Sequence, residues 1–105
     1  VKGAVPRAGA PGLPKATETD ILRAIRDFLR LHGWFVIRNQ QGLGSHKGMP
    51  DLTVIRRGQV WWIEVKKSGG LLSADQCVFR GEIEDHGGNW LVARSIEDVE
   101  HLARR

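Results

Sequence analysis

Two carboxylates and a lysine stand at short spacing on either side of one turn. Asp51 follows Pro50, and Glu64 and Lys66 frame Val65 in a Glu-x-Lys triplet. A pair of carboxylates suits a hard divalent cation that keeps several of its waters. An ammonium beside them can orient or help deprotonate a water and offset phosphate charge. Phosphodiester hydrolysis needs charge neutralised on the phosphoryl oxygens, a nucleophilic water and a stabilised leaving oxygen. A cross-strand salt bridge on a solvated sheet face uses the same residue types and is worth little. A Glu-x-Lys alone on a strand is mostly that; a Pro-Asp at hairpin distance tips the balance toward a site.

Asp51 to Arg56 is rich in β-branched residues, Val60 to Lys66 is another strand candidate, and Gly58 lies between them. If Gly58-Gln59 is the turn, Asp51 falls opposite Lys66 and Thr53 opposite Glu64. If Arg57-Gly58 is the turn, Asp51 falls opposite Glu64. Directly opposed residues share a face, so both registers gather Asp51, Glu64 and Lys66, whereas a three-residue turn would break the arrangement.

The elements that must position this hairpin follow from period and punctuation. Ile21, Leu22, Ile25, Phe28 and Leu29 keep helical spacing, with Arg23, Arg26, Asp27 and Arg30 on the other side. Thr17 is the expected N-cap, with Asp20 at the third helical position, and Gly33 the stop. Trp34 to Arg38 reads as a strand and the polar, Gly-rich stretch 39–48 as a loop. Ser73 caps a second helix ending near His86, Trp90 to Arg94 is a fourth strand, and Ser95 caps a last helix carrying Ile96, Val99 and Leu102. The expected order is α-β-β-β-α-β-α.

Glu18 lies four residues before Leu22 and seven before Ile25, at the head of the apolar stripe, where a carboxylate wants a partner. A first-turn acid favoured by the helix dipole explains it equally well. Gln76 fits a capping box with Ser73, which accounts for it without a function, or makes a polar contact in the cleft. Asn39, Gln40 and Gln41 suit DNA-backbone contacts or a polar loop. His46 is a lone loop histidine, more often neither base nor ligand. Trp61 aligns with Ile63 and Val65 and is expected in the core. Trp62 shares the face of Glu64, where it walls the cleft or packs under a helix.

The chain has 105 residues, 41% hydrophobic, which fits one globular domain. Its formal charge is +4, from 16 Lys+Arg against 12 Asp+Glu, a modest pointer to a polyanionic partner. The single cysteine, Cys77, excludes an internal disulfide and any zinc site built on several cysteines, and fits a reducing cytosol. No apolar run approaches the roughly 18 residues of a membrane helix. Residues 1–16 hold three prolines and three glycines with Lys2, Arg7 and Lys15 and no acid. They read as a flexible basic arm, or a tag or linker remnant, ahead of an ordered domain over 17–105.

With Gly48-Met49-Pro50-Asp51, Glu64-Val65-Lys66 and Gln76-Cys77-Val78-Phe79 in that order, the chain resembles the PD-(D/E)xK nucleases. More narrowly, it resembles their VRR-NUC (virus-type replication-repair nuclease) domain. The resemblance implies an α/β restriction-endonuclease-like core, a mixed sheet flanked by helices, over residues 17–105. It implies Asp51, Glu64 and the Val65 carbonyl as ligands for Mg²⁺ or Mn²⁺, and Lys66 as the catalytic lysine. It also implies Glu18 as an acid acting through a water, and Gln76 as a site glutamine. Stand-alone members resemble Holliday-junction resolvases, so the resemblance further implies a homodimer cutting branched DNA. Such an enzyme serves DNA repair in the cytoplasm of a bacterial or phage-infected cell, at nucleoid DNA. A restriction-type enzyme is the rival, but base-reading elements have little room in so small a domain. A non-cleaving nucleic-acid-binding module is the other, and it has no need for these residues to converge.

Overall fold

A computed structural model describes residues 15–104. The arm expected over 1–16 lies, as far as residue 14, outside the described residues. Helix α1 spans Glu18–Leu31 and opens on a capping box. Thr17 Oγ1 accepts the Asp20 N–H at 3.0 Å, and the Asp20 carboxylate accepts the Thr17 N–H at 3.1 Å. Leu22, Ile25 and Leu29 form its buried face, each worth roughly 1.5–3 kcal/mol of transfer energy. Gly33, at φ +86°, ends the helix in a conformation that costs other residues more. The buried Trp34 then donates its indole N–H to the Leu102 carbonyl at 2.8 Å, tying the segment that follows α1 to the last described helix.

Four strands form one mixed sheet in the order β1-β2-β3-β4. They are β1 (Phe35–Arg38), β2 (Leu52–Arg56), β3 (Gln59–Val65) and β4 (Asn89–Ala93). The first two pairings are antiparallel and β3 with β4 is parallel. The parallel pair requires a crossover, and helix α2 (Ala74–Asp85) supplies it. Leu52, Val54, Ile63, Val65 and Ala93 pack with α1, Val99 and Leu102 into the main core. On the other face α2 carries Phe79, also buried, and Gln76, which bonds to Glu64. Trp61 packs against the main core as expected. Trp62 is half-buried by the turn after α2, near Gly88, and so lies under that helix's end.

The expected α/β order is present, with one difference of type. The last element, Ile96–Ala103, winds as a 3-10 helix. Its apolar residues Ile96, Val99 and Leu102 recur every third residue, the period at which a 3-10 helix stacks side chains. Ser95 stands at its N-cap position, but its hydroxyl makes no capping bond. The Asp98 carboxylate instead accepts the Arg94 N–H at 2.8 Å and braces the entry.

Candidate active site

The turn decides between the two registers open in the sequence. Arg56 pairs with Gln59, so the two-residue turn is Arg57-Gly58, with φ of +51° and +80°. Positive φ at both positions is the type I′ turn, whose twist matches that of the strands it joins. Continuing the ladder one pair beyond Leu52 and Ile63 sets Asp51 opposite Glu64. One pair further, Pro50 stands opposite Val65. The Lys66 N–H points at β4, to the Ala93 carbonyl, so the Val65 amide and carbonyl face β2. A proline there has no N–H to offer the Val65 carbonyl. The Val65 N–H instead reaches the Asp51 carboxylate at 2.7 Å. The proline of Pro-Asp thus ends the ladder and leaves the Val65 carbonyl without a backbone donor on that strand.

The chain leading to Asp51 is braced from several sides. Asn39 donates its side-chain amide to the Pro50 carbonyl and its backbone N–H to the Asp51 carbonyl. It also accepts the Thr53 hydroxyl. Gln41 donates to the Met49 carbonyl at 2.8 Å. Both side chains, open in the sequence to a DNA-contact reading, are committed to holding Pro50-Asp51 in place. Gly48 lies against the first turn of α2, where a Cβ would overlap the Asp75 carbonyl. That contact accounts for the glycine of Gly-Met-Pro-Asp. One site residue escapes the sequence reading: Arg38, whose guanidinium stands 4.0 Å from the outer Asp51 oxygen. It is the last residue of β1 opposite Leu52, and only knowledge of that strand pairing marks it.

Glu64 is the one buried charged residue in the described chain, 3% exposed. Gln76 donates to its Oε2 at 3.0 Å while accepting the Ser73 N–H at 2.8 Å, so capping box and site contact are one arrangement. Lys66 Nζ lies 3.9 Å from the same Oε2, beyond direct hydrogen-bond range. The other oxygen, Oε1, is buried with no partner. Burial pushes the Glu64 carboxyl up to about 8, the Asp51 charge adds to the push, and Lys66 opposes it.

Glu18 departs from its expected place. It is exposed rather than sheet-facing, because the buried stripe of α1 begins at Leu22. Its carboxylate still meets the site: it accepts the Lys67 N–H at 3.3 Å and shares a recess of about 220 Å³ with Arg38, Asp51 and Val65. The turn that follows Lys66 is held from behind by Arg94, which donates to the Lys67 and Gly70 carbonyls at 3.0 and 2.7 Å. A larger hollow of about 530 Å³ lies behind that turn, lined by Ile21, Ala24, Arg94 and Ile96, and none of the paired carboxylates reaches it. His46 is exposed and meets the Phe79 ring edge-on, 5.6 Å between ring centres.

The donor set suits a hard divalent cation. An unpartnered buried carboxylate oxygen, a second carboxylate opposite and a carbonyl without a ladder partner are oxygen donors that could hold such an ion. Among the described residues no three His, Cys, Asp or Glu side chains form a cage of their own. One or two carboxylates with retained waters is the usual protein share of a Mg²⁺ shell.

The structure is thus a mixed sheet crossed by one helix, with a carboxylate pair and a lysine where its central hairpin ends. A solved structure described as a VRR_NUC domain matches with a TM-score of 0.70 and 26% identity, over 83% of this chain and 95% of that one. No family model and no curated protein matches the chain. The chain has the fold of a VRR-NUC nuclease domain.

The Glu64 shift carries a stability consequence. In chelator, the folded state holds a proton on Glu64 between its ordinary value of 4.5 and about 8, where the unfolded state has lost it. Rising pH across that window therefore lowers stability, and the loss levels off above it. The melting-temperature advantage of Glu64→Gln over the wild type should grow from pH 5 to 8 and then stay constant. An advantage independent of pH contradicts the assignment.

Proposed function

We propose that this chain is a divalent-cation-dependent endodeoxyribonuclease that cuts branched DNA, of the four-way-junction kind, as a homodimer. The observation that carries the reading is the buried, unpartnered Oε1 of Glu64, a residue set opposite Asp51 by the strand register, with Lys66 Nζ 3.9 Å from the same carboxylate. In this reading Asp51, Glu64 and the Val65 carbonyl hold Mg²⁺ or Mn²⁺. When bound, the ion would neutralise charge on the phosphoryl oxygens and stabilise the leaving oxygen. Lys66 orients the attacking water and offsets phosphate charge. Glu18 holds a water at the mouth of the recess, and Gln76 fixes the Glu64 carboxylate.

DNA as substrate agrees with the positive net charge and with Arg38 at the recess. Association agrees with the edge strand β1, which leaves Phe35 64% and Ile37 37% exposed next to an exposed Leu31. A two-fold dimer would present two sites to symmetric strands of a junction. Repair of branched DNA at the nucleoid, in the cytoplasm of a bacterial or phage-infected cell, is the setting this proposal assigns. No described helix is long and apolar enough to cross a membrane.

The test is cleavage of labelled four-way junctions, flaps and linear duplex with Mg²⁺ or Mn²⁺. The wild type should nick the junction, and Lys66→Ala or Asp51→Asn should lower the rate at least about 100-fold while still binding DNA. Absence of divalent-dependent cleavage on every substrate contradicts the enzyme reading. Light scattering should give about twice the 11.7 kDa chain mass; a monomer at micromolar concentration contradicts the dimer.

A further inference from the structure

At the far end of the hairpin lies a second basic feature that the proposed chemistry does not use. A cavity of about 300 Å³ is lined by Trp34, Arg56, Arg57, Trp61, His101 and Arg104, with no Asp or Glu in its walls. None of the four ion pairs among the described residues involves these cations. Arg56 builds the wall. Its guanidinium lies 4.7 Å from the Trp34 ring centre and donates to the His32 and Arg104 carbonyls. His101 meets Trp61 edge-on at 5.7 Å. Arg57 and Arg104 are exposed, and their side chains make no hydrogen bond among the described residues.

Backbone strain falls at the same place. Arg57 is the one non-glycine at positive φ among the described residues. The first position of a type I′ turn favours Asn, Asp or Gly, which bear that conformation at less cost. An arginine held there, its head at the rim of a cavity without acids, is a strained residue placed beside unmatched positive charge. Such strain concentrates where function requires the side chain.

The geometry points to a second nucleic-acid contact, in which Arg57, Arg104 and His101 take backbone phosphates while Trp61 supplies an apolar wall. The inference rests on the proposed DNA-cleaving function. Arg57 at the pocket and Asp51 flank the two ends of β2, about 20 Å apart at the rise of a strand. Trp61 belongs to the core face of the sheet, whereas Asp51 and Glu64 belong to the other. The DNA bound here is therefore a segment outside the cleavage cleft.

The test compares wild type with Arg57→Asn and Arg104→Gln, binding a fluorescent four-way junction in chelator by anisotropy over a range of salt. Arg57→Asn should melt at or above the wild-type temperature, since asparagine suits the turn, yet bind the junction several-fold more weakly. Its salt dependence should flatten by about one phosphate contact. Arg104→Gln should weaken binding in the same direction. Wild-type affinity and salt slope in both variants overturn the inference and leave the cleavage reading standing. A wild type that binds no junction overturns both. Competition by polyglutamate, with junction affinity unchanged in the variants, assigns the pocket to an acidic peptide and overturns the nucleic-acid assignment.

Discussion

Two carboxylates, Asp51 and Glu64, are forced opposite each other across β2 and β3, one of them almost wholly buried. Burial disfavours the charged form of Glu64, the Asp51 charge opposite adds to the effect, and the Glu64 carboxyl holds its proton up to about pH 8. Lys66 relieves the repulsion only in part, because it stands too far off for a direct bond. A divalent cation held by these two carboxylates would offset their repulsion. The elements around the hairpin keep the pair in place.

That supporting structure is assembled from parts far apart in sequence. Asn39 and Gln41 fix the carbonyls of Met49 and Pro50, and Gly48 lets the same loop lie against α2. Gln76 closes the start of α2 and in the same act restrains Glu64. Arg94 pins the turn after Lys66, and Glu18 holds that turn from the other side through the Lys67 amide. Arg94 and Glu18 thus meet on one four-residue turn, which makes the position of Lys66 a joint property of α1 and the residue that follows β4.

Much of this is legible in the chain because local rules agree with the global fold. The Thr17–Asp20 box, the spacing of Leu22, Ile25 and Leu29, and the Gly33 stop define α1 without tertiary information. The convergence of Asp51, Glu64 and Lys66 follows from strand alternation under either turn. The register does not, because Gly58 suits both turns and the deciding feature is an arginine in a left-handed conformation. Arg38 and Arg94 are invisible for a different reason: their meaning comes from partners 13 and more residues away, across pairings that no local pattern encodes. Glu18 is displaced from its expected face because helical spacing gives a direction but not where the sheet beneath it ends.

The central claim is that the Asp51–Glu64 pair is a divalent-cation site closed by a proline at the end of the ladder. Calorimetric titration of the DNA-free protein with Mn²⁺ tests it most directly. Saturable binding by the wild type, lost in both Asp51→Asn and Glu64→Gln, is the predicted result. No binding to the wild type, or equal binding to all three proteins, would contradict it.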